Sequence, residues 1–222
     1  MDNRDIAFLF DLDGVLIDSE RKYTEIWRRV DEMYPTGVED FPRVIKGTTL
    51  QNILERYFDE SVHEAVARYC MEEERKLTFD YMPGARELLA VLKELGVPSV
   101  LVTSSDNVKM EALRAKLPDI FEWFTGIVTG EMVRYGKPAP DPYLLGASLA
   151  GVPIEKCVVV EDALTGLQSG RSAGAFLVGM TDTLGREAIE GKADIVIDSL
   201  ADLVLENIPG MREVLVEEGG ES

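Results

Sequence analysis

The chain has 222 residues, of which 45% are apolar, and a formal net charge of −18. This length supports one large domain or a core with a small insert, and the apolar content excludes global disorder. The acidic balance makes nucleic acid and acidic membranes poor partners, because like charges repel. An anionic ligand would therefore need positive charge at its own site, since salt screens the wider field within about 8–10 Å.

We expect neither a membrane span nor a secretion signal. No stretch reaches the roughly 18 consecutive apolar residues that a span requires, and the charged N-terminus leads directly into strand-like residues. Two cysteines, Cys70 and Cys157, are too few for a disulfide framework. We therefore expect a cytoplasmic protein without a membrane partner, and either a monomer or a weak homodimer.

Short apolar, β-branched runs recur along the chain and predict strands. Their hydrophobicity is nearly continuous, which is typical of strands that are buried on both faces of a parallel sheet. In chain order these runs are 6–10, 97–102, 126–128, 157–160, 175–178 and 194–197. Helical segments lie between most of them, so we predict an α/β protein with a Rossmann-like, doubly wound parallel sheet.

The interval 17–81 breaks this alternation. Its apolar residues recur at helical spacing in two stretches, with a turn-rich piece at 46–52 between them. We therefore predict a helical insert after the first strand, and a core on either side of it: the insert is 17–81, and the core is 1–16 and 82–222.

Proline and glycine indicate the ends of two core helices. Pro83 and Gly96 bracket the first, with the proline at the first helical position and the glycine just after the last. Pro142 and Gly151 bracket the second in the same way. Asp141, directly before Pro142, is predicted to cap the second helix.

Polar side chains follow three of the predicted strands, and a lysine precedes a later helix: Asp11 and Asp13, Thr103 and Ser104, Glu161 and Asp162, and Lys137. Ligands of an open parallel sheet bind beyond the carboxyl ends of its strands, so we expect these side chains to converge. Four carboxylates in one crevice repel each other unless a cation neutralises them. Oxygen ligands favour a hard ion, and Mg²⁺ is the predicted cofactor.

The lysine and the hydroxyl groups suit phosphate oxygens, so the site is predicted to hold a phosphate ester beside the cation. Asp11 would attack phosphorus and form an aspartyl-phosphate. Asp13 would be the general acid for the leaving alcohol and then the general base for water. Mg²⁺ and Lys137 would stabilise the transferring group, and Gly14 would permit the tight turn behind the aspartates. Thr103 could instead cap the following helix.

Four motifs, in order and in the right strand context, resemble those of the haloacid dehalogenase superfamily of phosphohydrolases. They are DLDGV at 11–15, Thr103, GKPAPD at 136–141 and EDALTG at 161–166. Together they span nearly the whole chain. The helical insert resembles the small cap of the subgroup that contains β-phosphoglucomutase and sugar-phosphate phosphatases.

The resemblance implies two sets of site residues. The set that would serve Mg²⁺ comprises Asp11, the backbone carbonyl of Asp13, Glu161 and Asp162, with Asp162 the surer ligand. The set that would hold phosphate comprises Thr103, the Ser104 amide and Lys137.

The cap is expected to choose the substrate, because it would close over the phosphate and contact the leaving group. Within KGTTLQ at 46–51 we place Lys46, Gly47, Thr48 and Thr49 against the crevice, although a plain interhelical turn would also explain this segment. The expected substrate is a small phosphorylated metabolite, a sugar or polyol phosphate.

Two cap positions favour a phosphatase over a mutase. β-Phosphoglucomutase-like sequences usually carry a histidine where this chain has Tyr23, and an arginine where it has Leu50. A mutase must clamp a bisphosphate and suppress hydrolysis, and Lys46 would replace the arginine only as a point charge. An inorganic pyrophosphatase stays open as an alternative, and so does a catalytically silent binding protein on this fold.

Overall fold

The computed structural model of the chain describes residues 5–45, 48–76 and 78–219. Its centre is a sheet of six parallel strands in the order β3-β2-β1-β4-β5-β6. The strands are β1 (Ala7–Phe10), β2 (Ser99–Val102), β3 (Gly126–Val128), β4 (Cys157–Glu161), β5 (Phe176–Met180) and β6 (Ile195–Ile197). The predicted α/β class with a doubly wound parallel sheet is confirmed, and each predicted run forms a strand with small shifts at its ends.

In the described part of the chain, helices lie between these strands and after the last of them. The α-helices are α1 (Glu20–Met33), α2 (Phe41–Val44), α3 (Leu50–Tyr57), α4 (His63–Glu74), α5 (Ala85–Glu94), α6 (Asn107–Lys116), α7 (Asp141–Ala150), α8 (Leu164–Ala173), α9 (Arg186–Ile189) and α10 (Met211–Gly219). Short 3₁₀ turns occur at Glu60–Val62, Pro118–Trp123, Gly130–Met132, Ile154–Lys156, Leu200–Asp202 and Leu205–Asn207. None of the described helices is long and apolar enough to cross a membrane.

Two apolar layers cover the two faces of the sheet. In β1, Phe8 and Phe10 belong to the layer that contains residues of α5, α6 and α10, whereas Ala7 and Leu9 belong to the layer that contains residues of α7 and α8. Successive strand residues point to opposite faces, so both faces of β1 are buried. This two-sided burial explains why the strand sequences are continuously apolar.

Helices α1 to α4 lie in the interval that the sequence assigned to the insert. The chain enters and leaves this interval side by side. Asp18 N donates to Asp80 O at 3.0 Å, Met82 N donates to Leu16 O at 2.9 Å, and an antiparallel bridge joins Ile17 to its partner Tyr81. We call this paired crossing the neck. It lies at the predicted boundaries, 17 and 81, which stay a prediction as domain limits.

An aromatic cluster holds the helices of the insert together. The rings of Trp27 and Phe41 are 6.0 Å apart at 85°, and those of Phe41 and Phe58 are 5.7 Å apart at 77°. Ile26, Trp27 and Val30 of α1 are buried, in agreement with their helical spacing. The predicted turn at 46–52 is shorter than expected, because α3 already begins at Leu50.

Two predicted helix ends are wrong by a few residues. Pro83 is not the first residue of α5, because Gly84 is its N-cap with φ 80° and the helix begins at Ala85. A side chain at Gly84 would place its Cβ 2.2 Å from Ala201 N, so glycine is required there. Asp141 is the first helical residue of α7 and not its cap, since Pro140 occupies the cap position.

The glycines predicted to end these helices do so. Gly96, with φ 66°, follows the last residues of α5, and Gly151, with φ 70°, is the C-cap of α7. Both adopt the left-handed conformation that glycine enters without steric cost.

Candidate active site

A cavity of about 300 Å³ opens between the carboxyl ends of the strands and helices α1, α3 and α4 of the insert. Every predicted site residue that the structure describes lines it: Asp11, Asp13, Thr48, Thr49, Thr103, Ser104, Lys137, Glu161 and Asp162. Lys46 and Gly47 lie outside the described residues. The predicted residues are thus brought to one place, while their chemical roles stay predictions.

The strand order explains this convergence. Asp11 directly follows β1, Thr103 directly follows β2, and Glu161 is the last residue of β4. Strand β1 lies between β2 and β4, so these three residues are neighbours at one edge of the sheet. The chain turns to opposite sides after β1 and after β4, and such a switch point is where open α/β sheets bind ligands.

Lys137 occupies the centre of the acidic group. Its Nζ donates to Asp11 Oδ1 at 2.6 Å, to Glu161 Oε1 at 2.6 Å and to Val102 O at 3.0 Å, and its side chain is only 7% exposed. Burial alone would lower the pKa of Lys137, but the charges of Asp11 and Glu161 outweigh it and raise that pKa above its ordinary value. Lys137 is therefore a fixed buried cation.

Asp11 has a strongly shifted acidity. Burial raises the pKa of the Asp11 carboxyl group to about 7, the charge of Lys137 opposes this rise, and Glu161 and Asp13 add to it. The neighbouring carboxylates and the loss of water therefore make the Asp11 anion costly until further positive charge reaches it.

Glu161 is held on all sides. Its Oε1 accepts from Lys137 and from Tyr143 Oη, each at 2.6 Å, and its Oε2 accepts from the backbone N–H groups of Asp162 at 3.1 Å and Ala163 at 3.3 Å. Burial and the charge of Glu161 raise the pKa of Tyr143 well above its ordinary value, so the phenol stays a donor. A Cβ at Gly166 would lie 1.8 Å from Glu161 Oε1, so this glycine leaves room for the carboxylate.

Asp162 is oriented from the other side of the cavity. Its Oδ2 accepts a hydrogen bond from the Thr183 hydroxyl, in the loop after β5. A Cβ at Gly14 would lie 2.1 Å from the same Oδ2, and Gly14 has φ 76°, so only glycine fits the turn behind Asp11.

Three carboxylates form a group that could hold a metal ion. Within the described part of the chain, Asp11, Glu161 and Asp162 each offer an oxygen, and these oxygens lie within 4.8 Å of one another. A set made only of oxygens suits a hard divalent cation. The Lys137 ammonium group already sits between two of these residues, so the group accommodates positive charge.

The carboxylate of Asp13 lies apart from this group and has its own partners. Oδ1 accepts from the Ser19 hydroxyl, and Oδ2 accepts from Ser105 Oγ at 3.3 Å and from Lys109 Nζ at 2.6 Å. Two neighbouring aspartates therefore have different surroundings, since Asp11 lies in the three-carboxylate group, whereas Asp13 contacts one residue of the insert and two of the core. Such a division suits different chemical roles.

Thr103 does not cap helix α6. The N-cap is Asp106, whose side chain accepts from Lys109 N at 2.9 Å. Thr103 Oγ1 instead donates to Ser105 Oγ at 3.0 Å and accepts from Ser105 N at 3.0 Å. Its position at the end of β2, with Ser104 exposed to the cavity, leaves both residues available to a ligand.

Sequence reasoning missed several side chains that contact the predicted residues: Ser19, Lys109, Tyr143 and Thr183. Ser19 and Lys109 contact Asp13 from sequence distances of 6 and 96 residues. Tyr143 directly follows GKPAPDP. This position next to the lysine motif was the sequence signal that could have placed Tyr143 near the site.

The sequence of the chain matches that of the haloacid dehalogenase-like hydrolases. A sequence model of that family, described as hydrolase, matches residues 7–174. The match covers more than half of the chain, so the protein belongs to this family.

Several similar proteins cover most of the chain. The hexitol phosphatase A of Escherichia coli is 32% identical over 91% of this chain and 95% of its own length. The phosphorylated carbohydrates phosphatase of Thermotoga maritima is 35% identical over 76% of this chain and 81% of its own length. The crystal structure of β-phosphoglucomutase from Clostridium difficile has a TM-score of 0.75 and 27% identity, and the similarity covers 96% of this chain and 97% of that one.

Proposed function

We propose that the chain is a Mg²⁺-dependent phosphatase that hydrolyses a small phosphate ester, a sugar or polyol phosphate, through an aspartyl-phosphate at Asp11. The observation that carries this proposal is the position of Asp11. One of its oxygens is 2.6 Å from Lys137 Nζ, it lies in a three-carboxylate group, and it opens into a cavity that Asp13 also lines. The names of the two phosphatase relatives support the same substrate class.

The proposed reaction has two transfers. In the first, an Asp11 carboxylate oxygen attacks phosphorus, the bond from phosphorus to the ester oxygen breaks, and Asp13 gives its proton to that oxygen, so a neutral alcohol leaves. In the second, water attacks the phosphorus of the aspartyl-phosphate and gives its proton to the Asp13 carboxylate. The bond between phosphorus and Asp11 then breaks, and inorganic phosphate leaves with Asp11 and Asp13 restored.

Two groups of this chain would hold the transferring phosphoryl oxygens. Lys137 would attract these oxygens through its nearby positive charge, because its three N–H groups already donate to Asp11, Glu161 and Val102. Thr103 and the Ser104 amide, at the end of β2, add donors from the neighbouring strand. Donors that are fixed before the reaction cost no reorganisation when charge develops, so they lower the barrier.

Asp11, Asp162 and the main-chain carbonyl of Asp13 are the ligands that we assign to Mg²⁺. Glu161 was also a predicted ligand, but it already accepts from Lys137, Tyr143 and two backbone amides, so we assign it to orienting Lys137 and not to binding the metal directly. When bound, the ion would supply positive charge to the phosphoryl oxygens and to Asp11.

The residues on the insert side of the cavity favour a phosphatase over a mutase. Tyr23 and Leu50, the residues that depart from the β-phosphoglucomutase pattern, both line the cavity, so the departures lie where a leaving group would bind. Neither side chain carries a charge that could bind a second phosphate group. This favours hydrolysis of the aspartyl-phosphate over transfer of its phosphoryl group back to the sugar. The cavity is also lined by the apolar side chains of Trp27 and Ile53. They favour an organic alcohol as the leaving group over the phosphate that pyrophosphate would release.

The proposal is tested by phosphate release from a panel of sugar phosphates, polyol phosphates, nucleotides and pyrophosphate, each with Mg²⁺ and with EDTA. We expect release from sugar or polyol phosphates with Mg²⁺ only. Asp11→Asn is expected to lower kcat at least about 1,000-fold, because the nucleophile is lost. Asp202→Asn, a matched change outside the cavity lining, is the control and should keep the wild-type rate.

Isomerisation of β-glucose 1-phosphate is measured in parallel. Isomerase turnover far above any phosphate release would replace the phosphatase with a mutase. No Mg²⁺-dependent activity on any ester, together with equal partner binding by Asp11→Asn, would favour the silent binding protein.

A further inference from the structure

Lys109 is a largely buried cation inside the cavity. It belongs to none of the four motifs and has no role in the proposed reaction. It lies in the first turn of α6, and its side chain is 11% exposed. Its Nζ is 2.6 Å from Asp13 Oδ2. Its ammonium group also lies over the ring of Tyr23, 4.3 Å from the ring centroid. Lys109 of the core therefore joins the predicted proton donor, Asp13, to α1 of the insert.

The surroundings of Lys109 are acidic and largely closed. Glu74, at the end of α4, and Asp106, the cap of α6, also line this part of the cavity. Burial raises the pKa of Glu74, and the charge of Lys109 opposes that rise, so the two groups face each other. Several acceptors thus compete for one ammonium group, yet its short bond is made to Asp13.

A bond of this kind restricts Asp13. The Ser19 and Ser105 hydroxyl groups also donate to it, but a hydroxyl group rotates, whereas a charge-assisted bond is roughly twice as strong as a neutral one. The ring of Tyr23 covers the other side of the ammonium group and limits where Nζ can move.

We propose that Lys109 is a positioning residue that fixes the carboxyl group of Asp13 for proton transfer to the leaving oxygen, with Tyr23 of the insert holding Lys109 in place. This inference rests on the proposed phosphatase function. The proton passes from Asp13 to the ester oxygen as the bond from phosphorus to that oxygen breaks, and Lys109 stabilises the Asp13 carboxylate that results. The same contact then keeps Asp13 aimed at the attacking water.

Helix α6 supplies a matched control. Lys116 lies two helical turns after Lys109, and it also reaches the insert, where Nζ donates to Arg75 O and lies 5.8 Å from the Phe79 ring centroid. Both lysines therefore connect α6 to the insert, but the Lys116 contacts described here do not involve Asp13. A purely structural role would be shared by the two, whereas a role through Asp13 belongs to Lys109.

The test compares two leaving groups. Sorbitol 6-phosphate releases an alkoxide that must be protonated, whereas acetyl phosphate releases acetate, which leaves as an anion. The measured quantity is the ratio of kcat/KM for sorbitol 6-phosphate to kcat/KM for acetyl phosphate, since kcat/KM reports the first transfer. Lys109→Met is expected to lower this ratio at least about 20-fold, which is part of the roughly 100- to 10,000-fold that general acid catalysis contributes. Lys109→Arg should restore most of it, and Lys116→Met should keep it within about 3-fold of wild type.

Each outcome decides between the two proposals. If the wild type hydrolyses neither of these esters nor any other ester of the substrate panel, the phosphatase function itself is wrong. If another sugar or polyol phosphate of the panel is the better substrate, it replaces sorbitol 6-phosphate in the ratio. If the wild type hydrolyses both esters of the ratio and Lys109→Met lowers both equally, or lowers neither, the phosphatase stands and the positioning role is wrong. Acetyl phosphate turnover and the thermal midpoint show whether Lys109→Met is folded. If Lys109→Met is not folded, Lys109→Gln replaces it, because glutamine is closer to lysine in polarity. The same fall in the ratio is expected for Lys109→Gln.

Discussion

Gly166→Ala is expected to destabilise the protein, although alanine is the better helix former. In an ordinary helix interior the change would stabilise by about 1 kcal/mol. Here the new Cβ would lie 1.8 Å from Glu161 Oε1 and 1.9 Å from its Cδ, so the carboxylate must move. Glu161 is 1% exposed and cannot reach water.

The size of the effect follows from what Glu161 would lose. Its two 2.6 Å bonds, from Lys137 Nζ and Tyr143 Oη, break when the carboxylate shifts, and Lys137 keeps only Asp11 as a charged partner. Breaking a buried ion pair costs about 3–5 kcal/mol. Subtracting the gain from helix propensity leaves a loss of about 2–4 kcal/mol in the free energy of unfolding. We also expect kcat to fall about 10–100-fold, because Lys137 loses its orientation.

Urea unfolding followed by circular dichroism measures the stability change, and phosphate release measures kcat. Gln168→Ala is the matched control, since it adds alanine to the exposed side of the same helix and should change stability by less than about 0.5 kcal/mol. A Gly166→Ala protein as stable and as active as the wild type would refute the reasoning, because Glu161 could then not be fixed where the structure places it.

Two further predictions concern Gly84 at the start of α5 and the two buried cysteines. Gly84→Ala should lower the free energy of unfolding by about 2–4 kcal/mol, because φ is 80° and the new Cβ would lie 2.2 Å from Ala201 N. The kcat of the folded variant should stay within about 2-fold of the wild-type value. Equal urea midpoints for the variant and the wild type would contradict this prediction. Burial raises the pKa of both the Cys70 and the Cys157 thiol to about 12. At about pH 8 only about one thiol in ten thousand is ionised, so iodoacetamide should label neither cysteine until the protein is unfolded; labelling of the native protein at the rate of free cysteine would contradict this. Mass spectrometry gives the extent of labelling.

The sheet could be predicted because strands that are buried on both faces have continuously apolar sequences. The run VVV at 158–160 alternates between the two apolar layers of the structure, and no polar residue interrupts it. The carboxyl ends of β1, β2 and β4 were therefore recognisable, and with them Asp11, Thr103 and Glu161.

The partners of those residues could not be predicted, because they depend on tertiary contacts. Lys109 reaches Asp13 across 96 residues, and Tyr143 reaches Glu161 from a different helix. In sequence, Lys109 is one lysine in a polar helix, and nothing in its spacing distinguishes it from Lys116. Helix starts were misjudged for a related reason, since Gly84 is required by Ala201, a residue far away in the chain.

The neck has a consequence for engineering and for divergence. Backbone hydrogen bonds pair its outgoing and returning segments, from Asp18 N to Asp80 O and from Met82 N to Leu16 O. Backbone pairing does not depend on side-chain identity, and the two ends are already side by side. A different segment whose ends are equally close could therefore be grafted at this point without altering the strand order, provided that it also supplies the Ser19 hydroxyl group and the Tyr23 ring, which contact Asp13 and Lys109.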